Sequence, residues 1–328
     1  MNSDTPNSSA ELPPDYYHQN FCQLLSVVQQ RYADLLNEQE QQFLQQFYAA
    51  SRAAQCLYVR LSGRSRSRFR LSKLEYAEIP DLLAAAEDLQ QNKLLEIDPP
   101  LDTESLIPLF TKPELVKALK PTGGNKLSRA ELDQQLIEQL DQRGLEILRE
   151  LDTVLEVLQE QHLPIFKLCF FGNLYQDLSE FVLRDLAVYT FESYPLDMQS
   201  RQFSDRAQLD KHLQYYTCSS LREDAVLLGP ESILALSDAL PEPDTSDHSL
   251  ERRIARLRNS LARDLERQQA PQLAMELYAQ SKQPPARERR ARLLMSAAEV
   301  DSSLALCREI IESPANEAEA DFAQSFAL

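Results

Sequence analysis

The scarcity of glycine constrains the fold of this chain more than any other feature of its sequence. Glycine fills only 6 of 328 positions, about a quarter of its usual share, whereas leucine fills 55. Strand-rich folds and glycine-loop nucleotide-binding folds need glycine at turns and at close approaches of the backbone. Because 43% of the residues are apolar, the chain can also fill sizeable cores. The sequence therefore predicts a mainly α-helical fold, with two or three domains for this length.

The cysteines and the N-terminus indicate the compartment. Five cysteines lie far apart in the sequence, an odd number without a Cys-x-x-Cys pair, which favours a reducing compartment over a disulfide framework. Residues 1–15 are polar and acidic, unlike a signal peptide, and we expect them to form a disordered lead-in. No stretch approaches the roughly 18 apolar residues of a membrane span. We therefore expect a cytoplasmic protein with no membrane partner.

Hydrophobic periodicity and proline breaks divide the rest of the chain into four regions. Residues 16–98 combine helical stripes with a two-stranded wing or hairpin predicted over 69–79, a combination that fits a winged-helix-like DNA-binding domain. A helix pair follows at 101–144, and a helical middle region at 145–240. Residues 249–328 are helical throughout, with breaks at prolines.

Two segments of the last region are weakly alike. Residues 273–281 and 304–312 lie 31 residues apart, near the roughly 34-residue repeat of stacked helix pairs, which predicts the start of a TPR-like helical solenoid. Phe322 and Phe326 then open a further helix without the polar capping repeat that solenoids need for solubility. Two interpretations stay open: the natural protein continues, or the C-terminus is frayed.

The helix pair at 101–144 carries clear start signals. Residues 111–114 and 128–131 both have the capping-box pattern Ser/Thr-x-x-Glu, in which each side chain satisfies an orphan amide of the other's turn. The turn between the helices, residues 121–125, contains two of the six glycines. The pattern predicts a small helix–extended–helix module.

Residues 52–73 carry a charge opposite to that of the chain as a whole. The chain has a formal net charge of −17, yet this segment contains seven cations and no acid. Its cations are Arg52, Arg60, Arg64, Arg66, Arg68, Arg70 and Lys73. Arginine donates to phosphate as a bidentate fork and serine adds a neutral donor, so their alternation over 63–70 predicts solvent-exposed contacts to nucleic acid. The alternative is a solvated loop that pairs with acidic neighbours.

A second, smaller group of cations lies on the helix pair. Residues 111–130 contain one acid, Glu114, against five cations. Four of these cations are candidate phosphate contacts near helix starts, where backbone amides also point outward: Lys112, Lys117, Lys126 and Arg129. An ordinary exposed face is the alternative. A third basic group, at 282–292, could contact phosphate in the same way, but solenoid helices commonly carry such charges as a solubilising surface.

The residue types give no candidate catalytic or metal-binding site. No two of the four histidines have a spacing that puts them on one helical face, so zinc ligation is not expected. Neither a GxSxG elbow nor a GxxxxGK[ST] phosphate loop occurs. Metal-dependent nucleases of the restriction-enzyme type need an acid two positions before a lysine, and none of the nine lysines has one.

Several motifs, taken together, resemble one protein family. Residues 16–21, 31–36 and 57–61 read Tyr-Tyr-x-x-Asn-Phe, Arg-Tyr-x-Asp-Leu-Leu and Leu-Tyr-Val-Arg-Leu, and an arginine-rich turn follows the last of them. These strings, with residues 171–186 and 277–292, resemble Fanconi-associated nucleases, in particular the bacterial members that carry a C-terminal VRR-NUC domain. The matching strings run over nearly the whole chain.

The resemblance implies a winged-helix-like part, a SAP-like module at 101–144, a TPR-like repeat domain and a metal-dependent nuclease domain. It further implies 5′-flap endonuclease and 5′ exonuclease activity with Mg²⁺ or Mn²⁺, used in the repair of DNA interstrand crosslinks. The nuclease domain has no counterpart in this chain, so its catalytic and metal-binding residues are not assigned here. We expect a DNA-binding and scaffold portion, inactive alone, which holds branched or flap DNA in a bacterial nucleoid without a cofactor or small-molecule substrate of its own.

Two other functions stay open. The chain could be a non-enzymatic DNA-binding adaptor that is complete as it stands. It could also be a protein-binding helical scaffold that docks an acidic partner on residues 52–73. The natural reading frame separates the first from a nuclease, because an acid-x-Lys pair downstream of Leu328 would indicate a nuclease.

Overall fold

The chain is mainly helical, as its glycine-poor sequence predicted. The computed structural model describes residue 13 and residues 15–176, 201–242, 246–281 and 283–327. The chain divides into two compact units, Met1–Gln202 and Phe203–Leu328. Most of the predicted lead-in, and the later part of the motif at 171–186, lie outside the described residues. Within those residues, none of the helices is both long enough and apolar enough to cross a membrane.

The first unit combines helices with a small sheet. Its described helices are α1 (Tyr16–Tyr32), α2 (Glu38–Ala49), α3 (Arg52–Ser62), α4 (Leu82–Gln91), α5 (Thr103–Leu106), α6 (Lys112–Leu119), α7 (Arg129–Gln139), α8 (Gln142–Leu151) and α9 (Leu163–Phe171). Short 3₁₀ turns lie at Leu71–Lys73, Ile107–Leu109 and Glu160–His162. Side-chain caps fix several starts: Asn37 accepts from the amide of Glu40 at 2.9 Å, and the Glu40 carboxylate accepts from the amide of Asn37 at 2.9 Å.

An aromatic cluster holds α1, α2, α3 and α9 together. The ring centroid of Phe43 on α2 lies 5.7 Å from that of Tyr58 on α3 and 5.4 Å from that of Phe166 on α9. Phe47 on α2 lies 5.2 Å from Phe21 on α1. All five rings are buried, and large aromatic side chains contribute most to the stability of such a core. The four helices therefore form a packed support for the segment that follows α3.

The sheet has three antiparallel strands, and the middle one is distant in sequence. Strand β3 (Val154–Val157) pairs with β1 (Arg68–Arg70) on one side and with β2 (Leu95–Ile97) on the other. The two-stranded wing predicted over 69–79 is therefore wrong. The chain turns into a 3₁₀ helix directly after β1, and the strand partner follows only after α8. Local periodicity gave no sign of this long-range partner, because it reports burial and not pairing.

The helix pair α6–α7 lies in the sequence between β2 and β3 and has its own core. Phe110, Leu115, Leu132, Leu136 and Leu148 are buried together there. Both predicted capping boxes are confirmed at the starts of the two helices. These caps fix the first turns of two helices that are too short to be stable by propensity alone.

The glycine pair between α6 and α7 has a steric reason. Gly123 has φ of +72°, a region that side chains disfavour. A Cβ on Gly124 would lie 2.7 Å from Cγ of Pro121, closer than atoms approach without displacement. Two of the few glycines therefore lie where the backbone needs them.

The second unit is a succession of helices. They are α10 (Arg206–Ser220), α11 (Arg222–Leu228), α12 (Pro230–Asp238), α13 (His248–Arg267), α14 (Pro271–Ala279), α15 (Ala286–Ser296), α16 (Val300–Glu312) and α17 (Glu317–Phe326). From α13 onward each helix packs on the next one in sequence, the arrangement that stacked helix pairs require. The two weakly similar segments fall mainly on α14 and α16. Phe322 and Phe326 of α17 pack on the core of α15 and α16.

Candidate nucleic-acid interface

An open cleft with a volume of about 470 Å³ lies beside the segment that joins α3 to β1. Its lining residues are Arg64, Ser65, Arg66, Arg68, Phe69, Arg70, Lys73 and Leu109. Five of these eight side chains are cations, and all five were predicted as phosphate contacts from the sequence. We call this surface the basic cleft.

The outer cations of the basic cleft are Arg64, Arg66 and Lys73. Arg64 and Arg66 are exposed, and Arg64 donates to the hydroxyl of Tyr76 at 2.8 Å. Arg66 has no hydrogen bond or ion pair with any described residue. The side chain of Lys73 is 59% exposed, and its Nζ lies 3.4 Å from Oε1 of Glu114. These three groups therefore keep donors available to a ligand in the cleft.

Arg70 is buried at the inner side of the cleft. Its side chain is only 8% exposed, so the expectation that it lies in solvent is wrong. Nε donates to Asp152 at 2.8 Å, and Nη1 and Nη2 donate to the two carboxylate oxygens of Glu114 at 2.8 and 3.0 Å. The guanidinium also lies 4.4 Å from the ring centroid of Phe110. Arg70 thus ties β1 to α6 and to the chain just before β3, because each of its three side-chain nitrogens donates to a carboxylate of the protein.

The contact with Arg70 shifts the pKa of the Glu114 carboxyl. The hydrogen bond from Arg70, followed by the one from the amide of Thr111, holds the pKa of Glu114 far below its ordinary value. Glu114 lies between Lys112 and Lys117 on α6, so the two basic segments predicted from the sequence meet at this one acid.

The other cations of residues 52–68 have protein partners too. Arg60 pairs with Glu78 at 2.7 Å, and its guanidinium lies 3.9 Å from the ring centroid of Tyr17. Arg68 pairs with Glu156 at 2.7 Å, across the β1–β3 ladder. Arg52 pairs with Asp15 at the start of α1 but remains largely exposed. Arg60 and Arg68 therefore contribute mainly to the fold.

Glu78 explains why Arg60 is fixed. Burial raises the pKa of the Glu78 carboxyl, but hydrogen bonds from Tyr17 and Arg60 outweigh it and leave that pKa lowered. Burial, followed by the hydrogen bond to Glu78, raises the pKa of Tyr17. The Tyr17 hydroxyl donates to Glu78 Oε1 at 2.6 Å, which makes the three side chains one structural network.

The second basic group divides in the same way. Lys112 donates to two backbone carbonyls at the end of the turn before α7, those of Asn125, at 3.4 Å, and of Leu127. Arg129 donates to Phe110 O at 2.6 Å and to Asp133 at 2.7 Å. Lys117 and Lys126 are exposed and have no ion pair with a described residue. Of the four candidate contacts, Lys117 and Lys126 are therefore the two that remain available to phosphate.

Three arginines of the third basic group are paired with acids. Arg287 pairs with Glu319, Arg289 with Glu266, and Arg292 with Glu288 at 3.1 Å. This agrees with the interpretation of these arginines as structural or solubilising charge rather than as a ligand site.

Sequence reasoning missed two contributors to the basic cleft. Leu109 reaches the cleft from the 3₁₀ turn before α6, forty residues after Phe69. Tyr76 orients Arg64 from the loop after β1. No local signal could have placed Leu109 there, whereas a tyrosine soon after an arginine run is a pattern that favours stacking and hydrogen bonding.

The described residues contain no group of three or more His, Cys, Asp or Glu side chains that could hold a metal ion. The acids that pair with cations of the basic cleft are Glu114, Asp152 and Glu156, and they accept hydrogen bonds from Arg70 or Arg68. The part of the chain that the structure describes therefore does not fit a catalytic Mg²⁺ or Mn²⁺ site.

Comparisons with known proteins agree with this architecture. The family model described as "FAN1, HTH domain" matches residues 15–96. The Fanconi-associated nuclease 1 homolog of Pseudomonas aeruginosa is 36% identical over 323 residues, which cover 96% of this chain and 56% of that protein. The Fanconi-associated nuclease 1 of Homo sapiens is 35% identical over 109 residues, covering 32% of this chain and 11% of that protein.

Two solved structures also match this chain. The crystal structure of paFAN1 bound to 5′-flap DNA with a 2-nt flap and a gap matches with a TM-score of 0.85 at 34% identity, over 97% of this chain and 58% of that chain. The corresponding structure with a 1-nt flap matches with a TM-score of 0.77 at 33% identity, over 96% of this chain and 58% of that chain.

A mainly helical chain with these matches is a member of a nuclease family. The chain belongs to the Fanconi-associated nuclease family, which confirms the resemblance of its sequence motifs. It spans a little over half the length of the bacterial relative and of the solved structures that it matches.

Proposed function

We propose that this chain is the DNA-binding and scaffold portion of a structure-specific DNA-repair nuclease that acts on branched or 5′-flap DNA. The observation that carries the proposal is the basic cleft, where Arg64, Arg66 and Lys73 keep donors facing solvent beside a rigid support. The net charge of −17 supports it, because an acidic surface around a local basic site confines a polyanion to that site.

The basic cleft suits the phosphate backbone rather than base edges. Guanidinium groups bind phosphate oxygens in a bidentate fork, and the hydroxyl of Ser65 adds a neutral donor beside them. Such contacts position a duplex but carry no sequence information. A protein that selects DNA by its branched shape needs contacts of this kind.

Two arginines of the basic cleft hold its strand in place, which supports the proposal. Arg70 fixes β1 against α6, and the ladder contact of Arg68 with Glu156 fixes β1 against β3. The strand that follows Arg66 is therefore held firmly, which lowers the entropy that the cleft loses on binding. Lys117 and Lys126 would hold a further stretch of backbone from the SAP-like module.

Cleavage of DNA belongs, in this proposal, to the part of such proteins that this chain does not match. A Mg²⁺ or Mn²⁺ ion would act in that part, and the residues described here hold no step of the reaction. A cytoplasmic, nucleoid-associated location follows from DNA as the partner.

The test is DNA binding by the 328-residue chain. Fluorescence anisotropy with labelled 5′-flap DNA at several salt concentrations compares the natural chain with the triple variant Arg64→Gln, Arg66→Gln, Lys73→Gln. The slope of log K against log salt is negative, and each cation removed from a phosphate reduces its magnitude by about 0.9. A reduction of up to about 2.7 is therefore expected for the triple variant. Weaker binding on every DNA sequence alike is also expected.

A matched control separates site from charge. The variant Lys93→Gln, Arg143→Gln, Arg308→Gln also removes three exposed cations, all outside the basic cleft. It should leave the slope nearly unchanged. Equal weakening in both variants would overturn the basic cleft as the binding site. Binding of an acidic protein to the chain that DNA cannot compete away would favour the scaffold function instead.

A further inference from the structure

Helix α13 (His248–Arg267) carries a row of arginines that are not part of the basic cleft. Arg252, Arg256, Arg263 and Arg267 are exposed. Their spacings of four, seven and four residues, at about 100° per residue, place all four within about 60° of the helix circumference. The first three, which we call the arginine face, extend over about 17 Å of the helix axis.

The acids of α13 are occupied elsewhere. Asp264 is buried and accepts from Arg222 at 2.9 Å and from Arg267 at 3.1 Å. Glu266 accepts from Tyr278 at 2.7 Å and pairs with Arg289. The carboxylate of Glu251 lies 3.7 Å from the ring of His248, at the beginning of the helix.

No acid forms an ion pair with the arginine face, although Arg263 is near enough to Glu266 to help lower the pKa of that carboxyl. Arg252, Arg256 and Arg263 form no ion pair or hydrogen bond with any residue that the structure describes. Ser249 and Ser260 lie within about 80° of Arg252 around the helix, so hydroxyl donors accompany the cations. In a chain with a net charge of −17, a local basic face of this length attracts a polyanion while the acidic surface around it repels one.

We propose that the arginine face is a second contact for the phosphate backbone of duplex DNA. The inference rests on the proposed function, because it assigns the second unit a part in holding the same class of ligand. A straight row of cations about 17 Å long matches a rod with regular charge, since duplex DNA carries about ten phosphate charges over that length. A folded acidic protein would present carboxylates in scattered positions.

The test uses the full 328-residue chain and blunt duplex DNA. The variant Arg252→Gln, Arg256→Gln, Arg263→Gln retains helix-forming residues, and circular dichroism checks that helix content is kept. The salt slope should fall by up to about 2.7 relative to the natural chain, about 0.9 for each arginine that no longer neutralises a phosphate. The control variant of Lys93, Arg143 and Arg308 should change the slope far less.

A second measurement does not depend on variants. Phenylglyoxal modifies exposed arginines, and mass spectrometry reads the modified positions with and without duplex DNA. Arg252, Arg256 and Arg263 should be protected by DNA, whereas Arg308, which is exposed on α16, should react equally in both samples. Equal modification of the arginine face with and without DNA overturns the inference. Protection by polyglutamate but not by DNA also overturns it and assigns the face to an acidic protein.

The outcomes distinguish this inference from the proposed function. If the basic-cleft variant loses affinity and the arginine-face variant does not, the inference fails and the proposed function stands. If the natural chain shows no salt-dependent affinity for DNA, both fail.

Discussion

The basic cleft and helix α15 are both rich in arginine, but their cations have different partners. On α15, Arg287, Arg289 and Arg292 each pair with a glutamate. In the basic cleft, Arg64 has a tyrosine hydroxyl as its hydrogen-bond acceptor, and Arg66 has no partner among the described residues. Partner acids, and not the number of cations in a segment, decide which arginines remain available to phosphate.

The same contrast exists within the basic cleft itself. Arg66 precedes β1 and is exposed, whereas Arg70 ends β1 and is buried between Asp152 and Glu114. Alternating arginines in one short stretch thus serve two purposes. Breaking each kind separately is the sharpest way to test the comparison, because one should affect folding and the other binding.

The largest effect is expected from Arg70→Ala. This change removes the arginine from two carboxylates, and that of Asp152 is almost fully buried. Breaking one side of a buried ion pair costs about 3–5 kcal/mol, so urea unfolding of the chain should begin at clearly lower concentration. Arg66→Ala is the matched control and should change stability by within about 0.5 kcal/mol. Equal unfolding curves for the two variants would contradict the assignment of Arg70 to the fold.

A second effect on stability should depend on pH. Arg70 lowers the pKa of Glu114 in the folded chain below the ordinary value of 4.5. The stabilisation is therefore complete above about pH 4.5 and is lost as pH falls through the lowered pKa of the folded state. Glu114→Gln should remove this acid-dependent part, on the order of 1–3 kcal/mol for charge-assisted hydrogen bonds. Thermal melts of both chains from pH 7 down to pH 2 check it, and parallel pH profiles would be the contrary result.

The sequence predicted the helical class, the capped helix pair and the basic segments, because each of these depends on local pattern. The capping boxes at Thr111 and Ser128 are determined within four residues. The family could also be recognised, since short motifs over nearly the whole chain carry it.

What the sequence could not predict depends on contacts between distant residues. The partner strand of β1 lies at 154–157, and the partner acids of Arg70 lie at 114 and 152. Nothing in the pattern of residues 64–70 distinguishes Arg70 from Arg66, because burial of a guanidinium is decided by which acids the fold brings to it. The arginine face of α13, by contrast, could have been found from its spacing of four and seven residues alone.

A smaller effect, on binding alone, is expected from Lys117→Gln with Lys126→Gln. Both side chains are exposed and without an ion pair to a described residue, so stability should change by within about 0.5 kcal/mol. If both contact phosphate, the salt slope of DNA binding should fall by roughly two units. Lys112→Gln is the comparison. The Lys112 ammonium already donates to the carbonyls of Asn125 and Leu127, so this substitution should lower stability instead of weakening DNA binding. A salt slope equal to that of the natural chain would remove the helix pair α6–α7 from the interface.

The smallest effect is expected from Arg292→Gln, and it tests the comparison from its other side. The Arg292 guanidinium lies 3.1 Å from Glu288 and 4.7 Å from the ring centroid of Phe322, and its side chain is 47% exposed. An exposed pair at i and i+4 contributes only about 0.3–0.5 kcal/mol, so the melting temperature should barely move. The salt slope of DNA binding should not change either, since Glu288 neutralises the cation that phosphate would need. A fall of about one unit in that slope would show that phosphate displaces Glu288. Pairing with an acid in the free chain would then not decide which arginines bind DNA, and α15 would itself be a DNA contact.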